Sequence, residues 1–250
     1  MKRTKLYIPL VMFVALMIGG PVAQAACNNA SVNGVYGITS VGLNGSGQPA
    51  SSVDQITADG NGNLTGSSTK SIDGTIVTFT FTGTYKIKAN CTGTAIFKNQ
   101  DGMTEHDNIA LDNANKGAFL IQTDSKHVQS SIALAQGTAT CTNLGVKHAY
   151  ATELTGIVLA VGQVALVGQV TLDGKGSLTG TETLSLNGAI TSSVPVTGTY
   201  QINSNCTGSA AITPRGLSTM NVNIVIVNGG KELMVIETDA NTIVTGALQQ

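Results

Sequence analysis

The histidines are the first residues to consider for chemistry, because histidine most readily exchanges a proton near neutral pH. The chain has three, His106, His127 and His148, and His106 lies between Glu105 and Asp107. Adjacent residues of a strand point to opposite faces of a sheet, so these three neighbouring side chains cannot converge. No Gly-x-Ser-x-Gly elbow is present either. We therefore predict no catalytic residue, and an enzyme is the less favoured interpretation.

Four cysteines in an exported chain are expected to pair, and three connectivities are possible. Cys27 lies 64 residues before Cys91, and Cys141 lies 65 residues before Cys206. The near-equal spacing favours Cys27–Cys91 and Cys141–Cys206, as copies of one ancestral bond. No Cys-x-x-Cys motif or Cys/His cluster occurs, so the sequence predicts no metal site and no cofactor.

Other polar residues recur at matching positions in the two halves of the chain. Asp59-Gly60 and Asp173-Gly174 are typical of turns in which the carboxylate accepts local backbone N–H groups, and Asp124 and Asp239 are expected to close hairpins similarly. Four tyrosines fall on inward faces, where such residues form core contacts or line a cavity. They are the ligand-lining candidates: Tyr36, Tyr85, Tyr150 and Tyr200.

These residues belong to an internal duplication. Asp59-Gly60-Asn61-Gly62-Asn63-Leu64-Thr65-Gly66 returns as Asp173-Gly174-Lys175-Gly176-Ser177-Leu178-Thr179-Gly180, and Asn90-Cys91-Thr92-Gly93 returns as Asn205-Cys206-Thr207-Gly208. A repeat of this length is a whole small domain rather than a solenoid rung. The predicted domains are residues 26–137 and 138–250, and the short junction indicates that they pack together.

Within each unit the apolar residues alternate with polar ones. Phe79, Phe81, Tyr85 and Ile87 share one face of an extended segment, and Gly83 interrupts that face where a curved sheet would bend. Turn signals divide the first unit into eight strands, near residues 33–43, 52–58, 63–72, 75–89, 92–99, 104–112, 117–123 and 127–136. The prediction is an all-β protein with two tandem antiparallel eight-stranded up-and-down barrels, and two β-sandwiches are the alternative.

The first 25 residues are typical of a signal peptide. Lys2, Arg3 and Lys5 precede an uncharged apolar run, and Ala23 and Ala25 have the spacing of a cleavage site. An acylated Cys27 is the lipoprotein alternative. Without those three basic residues, ten remain against 14 acidic ones, so the net charge of about −4 excludes a basic nucleic-acid-binding surface. The sequence predicts a secreted or periplasmic protein with no transmembrane segment after cleavage.

The two copies differ at one stretch. Residues 154–171 are nearly continuous in apolar residues and glycine, whereas the counterpart 42–52 is polar. Strands covered on both faces have such runs, so a packed interface between the units or with another protein is the first interpretation. An outer-membrane barrel is a second interpretation, although aromatic girdles are missing. The interface candidates are Ile157, Leu159, Val164 and Leu166.

The Asp-Gly-x-Gly-x-Leu-Thr-Gly, Gly-Thr-Tyr and Cys-Thr-Gly motifs resemble those of a group of uncharacterised exported bacterial proteins with tandem barrels. More distantly, the chain resembles the allene oxide cyclase-like and dirigent-like eight-stranded barrels. The resemblance covers both units and implies a lumen that holds an apolar substrate. None of the acidic catalytic positions of those enzymes matches a residue here, so their activity is not carried over.

These observations predict a non-catalytic extracytoplasmic binding or surface protein that holds a small apolar ligand or contacts a protein partner. The first alternative is a small cyclase- or isomerase-type enzyme acting on a lipid-like substrate in a barrel lumen. The second is a structural component of a cell-surface assembly.

Overall fold

The computed structural model describes residues 26–112 and 116–250 and contains two closed antiparallel β-barrels in tandem. Each barrel has eight strands in chain order, and its first strand pairs with its last. The all-β prediction of tandem eight-stranded barrels is therefore confirmed, and closure excludes the sandwich alternative. The predicted signal peptide, residues 1–25, lies outside the described residues. Within the described ranges, no helix has the length and apolar composition needed to cross a membrane.

The strands follow the alternation of apolar and polar residues. The first barrel consists of β1 (Asn33–Leu43), β2 (Pro49–Asp59), β3 (Asn63–Ile72), β4 (Thr75–Ile87), β5 (Thr92–Asn99), β6 (Thr104–Leu111), β7 (Gly117–Gln122) and β8 (Val128–Ala135). The second consists of β9 (Ala149–Val158), β10 (Gly162–Leu172), β11 (Ser177–Leu186), β12 (Ala189–Ile202), β13 (Thr207–Pro214), β14 (Met220–Val227), β15 (Glu232–Glu237) and β16 (Thr242–Gln249).

One end of each barrel is closed by a plug, a short 3-10 helix that precedes the first strand. In the first barrel the plug is Asn29–Ser31, and Asn29 Oδ1 accepts a 2.8 Å hydrogen bond from the N–H of Ile87. In the second barrel Asn143 makes the same 2.8 Å bond to Ile202. Disulfides Cys27–Cys91 and Cys141–Cys206 fasten the chain beside the two plugs, in the pairing that the duplication favours.

Turn chemistry explains where strands end and bend. Asp59 Oδ1 accepts backbone hydrogen bonds from Asn61 at 2.7 Å and Asn63 at 3.0 Å, as expected for a carboxylate that organises a turn. Gly83 lies in the middle of β4, where a Cβ would collide with the backbone carbonyl of Ile96. Only glycine fits this close approach of neighbouring strands, and the bend predicted at this position stays a prediction.

The two barrels pack through the outer surfaces of β1–β3 and β14–β16. Val53 of β2 is 3% exposed and belongs to a cluster with four residues of the second barrel: Val225, Val227, Met234 and Ile236. Polar contacts surround this cluster. Asn223 donates a 3.0 Å hydrogen bond to Thr69 Oγ1, and Gln136 donates one of 3.1 Å to the carbonyl of Ile226. The interface thus holds the β1–β3 wall of the first barrel against the second.

Candidate binding site in the first barrel

The end of the first barrel opposite the plug is an open mouth with a cavity of about 660 Å³. This volume lies within the range of pockets that bind small molecules. The cavity extends inward from the loops near Asn44, Asp101 and His127 to a floor of apolar side chains. Ile38, Phe97 and Leu120 form the floor, because they line both this cavity and a small apolar void beyond it.

An aromatic wall occupies one side of the cavity. Phe79 and Phe81 project inward from β4, and Phe97 projects from β5. The rings of Phe81 and Phe97 meet edge to face with centroids 5.6 Å apart, and those of Phe79 and Phe81 are 6.4 Å apart. The wall therefore offers a ligand both apolar area and the negative faces of aromatic rings.

Polar side chains form a ring above the floor, and several of them lack partners. Asp107, Gln122 and Gln129 are only 4%, 8% and 5% exposed. Asp107 Oδ1, Gln122 Oε1 and Gln129 Nε2 are buried without a hydrogen-bond partner among the described residues, and so is Asp54 Oδ1. Buried polar atoms are nearly always satisfied in folded proteins, so a cluster of exceptions around one cavity indicates that a ligand or water completes it.

The carboxyl groups of the ring are held in an unfavourable environment for charge. Burial raises the pKa of Asp54 to about 6, although hydrogen bonds from Ser68 and Ser52 oppose this effect. Burial also raises the pKa of Asp107 to about 7, with further contributions from the carboxylates of Glu105 and Asp124. The mouth therefore contains two acids that change charge close to neutral pH.

Comparisons with known proteins add little to this geometry. No protein-family model and no curated protein matches the sequence. Among solved structures, the chain is similar to isotype 1 transferrin binding protein B from serogroup B Neisseria meningitidis. The TM-score is 0.37 and the identity 9%, over 88% of this chain and 75% of that chain. The resemblance to allene oxide cyclase-like and dirigent-like barrels stays a prediction.

In the second barrel, apolar side chains fill the interior at the positions that match the mouth of the first barrel. Leucine or valine replaces five polar residues of the mouth at the matching positions, in the pairs Ser40/Leu154, Ser52/Leu166, Lys70/Leu184, Asp107/Val222 and Gln129/Val244. Leu154, Val222 and Val244 are buried in the core of the second barrel. The fold therefore does not require polar residues at these positions, and those of the first barrel need another explanation.

The second barrel also rearranges its buried acids. Gly168 occupies the position that matches Asp54, and a Cβ there would lie 2.6 Å from Cγ of Glu182. The side chain of Glu182 thus fills the space over Gly168. It is 3% exposed, and burial raises the pKa of its carboxyl group.

The four tyrosines lie toward the plugged ends rather than at the mouth. Tyr36 and Tyr85 line the small void of about 40 Å³, which is too small for more than a few water molecules. The hydroxyl of Tyr85 donates a 2.6 Å hydrogen bond to the carbonyl of Val32. Tyr150 is fully buried and donates to the carbonyl of Gly230 at 2.9 Å, and Tyr200 is 5% exposed in the same core. Their role as ligand-lining residues stays a prediction.

The neighbouring side chains of Glu105, His106 and Asp107 on β6 lie on opposite sides of the barrel wall. Glu105 and Asp107 line the cavity, whereas His106 lies on the outer face, where its Nδ1 and Asp124 Oδ1 form a 2.7 Å hydrogen bond. The expected alternation of faces is therefore present. His127 lies at the rim, and its Nδ1 is buried without a partner among the described residues. In residues 26–112 and 116–250, no group of three or more metal-ligating side chains is positioned to hold an ion.

The predicted interface residues fall on both faces of the second barrel. Val164 and Leu166 pack against its core, while Ile157 is half-buried and Leu159 is 44% exposed. The barrel–barrel interface is made by other residues, described above. Contact of Ile157 and Leu159 with another protein stays a prediction.

The sequence interpretation missed the inward acids, although a signal for them exists. Every second residue of β6 points into the barrel. Ile109 and Leu111 are two of these residues, and Glu105 and Asp107 lie on the same face. The difference between the apolar segment 154–171 and its polar counterpart is a second signal. Ser52 and Leu166 occupy matching positions and both face inward, so one copy has a polar residue in its interior where the other has an apolar one. Comparison of inward positions between the copies would have located the mouth.

Proposed function

We propose that the protein is a non-catalytic extracytoplasmic binding protein, and that the open mouth of the first barrel holds one small amphipathic molecule. The observation that carries this proposal is the 660 Å³ cavity ringed by buried polar atoms without partners. The second barrel acts as a filled scaffold that supports the β1–β3 wall. The disulfides support an extracytoplasmic location, because such bonds persist in oxidising compartments.

The mouth combines two surfaces that suit an amphipathic ligand. Phe79, Phe81 and Phe97 supply an apolar wall, and Asp54 and Asp107 supply polar groups on other strands of the same cavity. Small-molecule sites are commonly built in this way, with apolar area for affinity and a few polar groups for orientation.

A neutral fluorescent probe, N-phenyl-1-naphthylamine, tests the site directly. We expect saturable binding at one molecule per chain, with increased fluorescence in the apolar cavity. The double variant Ser40→Leu/Ser52→Leu copies the residues of the second barrel and should abolish binding. Val41→Leu is the matched control, because Val41 lies on the same strand but is 47% exposed on the outer face.

Two results would contradict the proposal. One is absence of probe binding to the unaltered protein. The other is equal binding by the unaltered protein and the double variant, provided that circular dichroism shows both to be folded. Native mass spectrometry of protein purified from its own source gives an independent readout, since a ligand held in the mouth should co-purify.

The second candidate is a small isomerase or cyclase, and Asp107 favours it. A carboxyl group with a pKa of about 7 can both donate and accept a proton at neutral pH. The co-purified ligand distinguishes the two candidates when it is incubated with fresh protein. A binding protein should leave it chemically unchanged, whereas an enzyme should convert it and should lose that activity in Asp107→Asn.

A further inference from the structure

The unsatisfied atoms of the mouth are mostly hydrogen-bond acceptors. Asp54 Oδ1, Asp107 Oδ1 and Gln122 Oε1 accept no hydrogen bond from the described residues. Two unsatisfied nitrogens lie at the same cavity: the amide donor Gln129 Nε2, and His127 Nδ1, which donates or accepts according to the tautomer of the ring. An ionised carboxylate can only accept hydrogen bonds. A ligand that completes this ring must therefore bring more donors than acceptors.

The charge balance of the cavity favours a cation. Four carboxyl groups line it, those of Asp54, Asp101, Glu105 and Asp107, against one lysine. Lys70 lies 3.6 Å from Glu105, its ion-pair partner among the described residues. No such partner within 4 Å is found there for Asp54 or Asp107. Asp54 and Asp107 therefore face the cavity without an ion-pair partner of their own, and Lys70 lowers the pKa of both only as one of the smaller influences.

The aromatic wall is compatible with the same ligand. A cation over or beside an aromatic ring is attracted by the negative face of the ring. Phe79 lines the cavity together with Asp54 and Ser68, and its partner across the β3–β4 ladder is Ser68. An ammonium group near the carboxyl groups would thus have an aromatic surface beside it, and an attached apolar chain could reach the floor.

We infer that the mouth of the first barrel binds an organic ammonium cation with an apolar tail, its nitrogen between Asp54 and Asp107. This inference rests on the proposed function of the mouth and adds the chemical class of the ligand. Buried carboxyl groups with raised pKa values support it, since a bound cation would return both groups to the charged form. Val222 at the position matching Asp107 shows that the fold does not require this acid.

The inference is tested by displacing N-phenyl-1-naphthylamine with three ligands that have the same eight-carbon chain and different head groups. At pH 8, octylammonium should displace the probe at a concentration tenfold or more below that of octanol or octanoate. Hydrogen bonds to charged groups account for a difference of this size. In Asp54→Asn/Asp107→Asn, octylammonium should lose that advantage, while octanol and the probe itself should bind within about threefold of the unaltered protein. Glu153→Gln removes an exposed carboxyl group of the second barrel and should change nothing.

The outcomes separate the two proposals. If the probe binds but the three ligands displace it equally, or octanoate is preferred, the ammonium inference is wrong and the binding function stands. If Asp54→Asn/Asp107→Asn keeps the preference for octylammonium, the assigned carboxyl groups are wrong. If the probe does not bind at all, both proposals fail.

Discussion

Replacing Asp107 with asparagine is expected to stabilise the folded protein at neutral and basic pH. The carboxyl group is 4% exposed, and burial is the main reason that its pKa is raised from 3.8 to about 7. Each pKa unit corresponds to ~1.4 kcal/mol, so ionisation costs about 4 kcal/mol more in the folded chain than in the unfolded chain. Asparagine is never ionised, and its new N–H can donate toward Gln122, the residue opposite Asp107 on β7.

The free energy of unfolding depends on pH because the folded and unfolded chains release the proton of Asp107 at different pH values. Below pH 3.8 the carboxyl group is protonated in both states and imposes no penalty. Between pH 3.8 and about 7 the unfolded chain releases the proton while the folded protein keeps it, so stability falls as the pH rises. The difference between Asp107→Asn and the unaltered protein should therefore be near zero at pH 3.5 and reach roughly 2 to 4 kcal/mol at pH 8.

Urea unfolding followed by circular dichroism at pH 3.5, 6 and 8 measures this difference with the disulfides intact. Glu153→Gln is the control for loss of one carboxyl group, because it is exposed and should change the free energy of unfolding by less than about 0.5 kcal/mol. A variant that is less stable than the unaltered protein at pH 8 would refute the reasoning. So would a stability difference that is the same at all three pH values.

Three further variants test the interface and the plugged end by the same urea assay. A Cβ on residue 37 would lie 2.6 Å from Cγ1 of Val227. Gly37→Val should therefore destabilise the protein by about 1 to 3 kcal/mol, and an unchanged urea midpoint would contradict the interface. Cys27→Ser/Cys91→Ser opens a loop of 64 residues and should cost about 4 kcal/mol, and a loss below 1 kcal/mol would show that the bond constrains little. Tyr85→Phe removes a 2.6 Å hydrogen bond to a backbone carbonyl and should cost about 1 kcal/mol, whereas a stabilised variant would contradict that role.

Most strand positions could be predicted from the sequence, because alternation and turn residues are local signals. Segments 33–43, 63–72 and 92–99 coincide with β1, β3 and β5. β2 begins three residues earlier than predicted, at Pro49. Proline is tolerated at the first residue of a strand, and the small residues after it give no alternation to detect.

The barrel interface could not be placed from the same signals. Residues 224–227 and 233–236 are short continuous apolar runs, typical of strands covered on both faces. The sequence instead favours the longer apolar segment 154–171 as the interface. In the structure, Val167 of that segment is 55% exposed. Which apolar run faces the other barrel depends on how the two barrels dock, and no pattern within one strand encodes that.

The interface and the candidate site are linked through β2. Val53 points outward into the interface with the second barrel, while its neighbours Ser52 and Asp54 line the mouth. Because successive side chains of a strand alternate, fixing Val53 also fixes the backbone that aims Asp54 into the cavity. A site with buried, partly unsatisfied carboxyl groups costs stability, and the filled second barrel supplies an apolar surface that holds this wall in place. The duplication therefore provides a physical reason why one copy can keep an open, polar mouth while the other is packed.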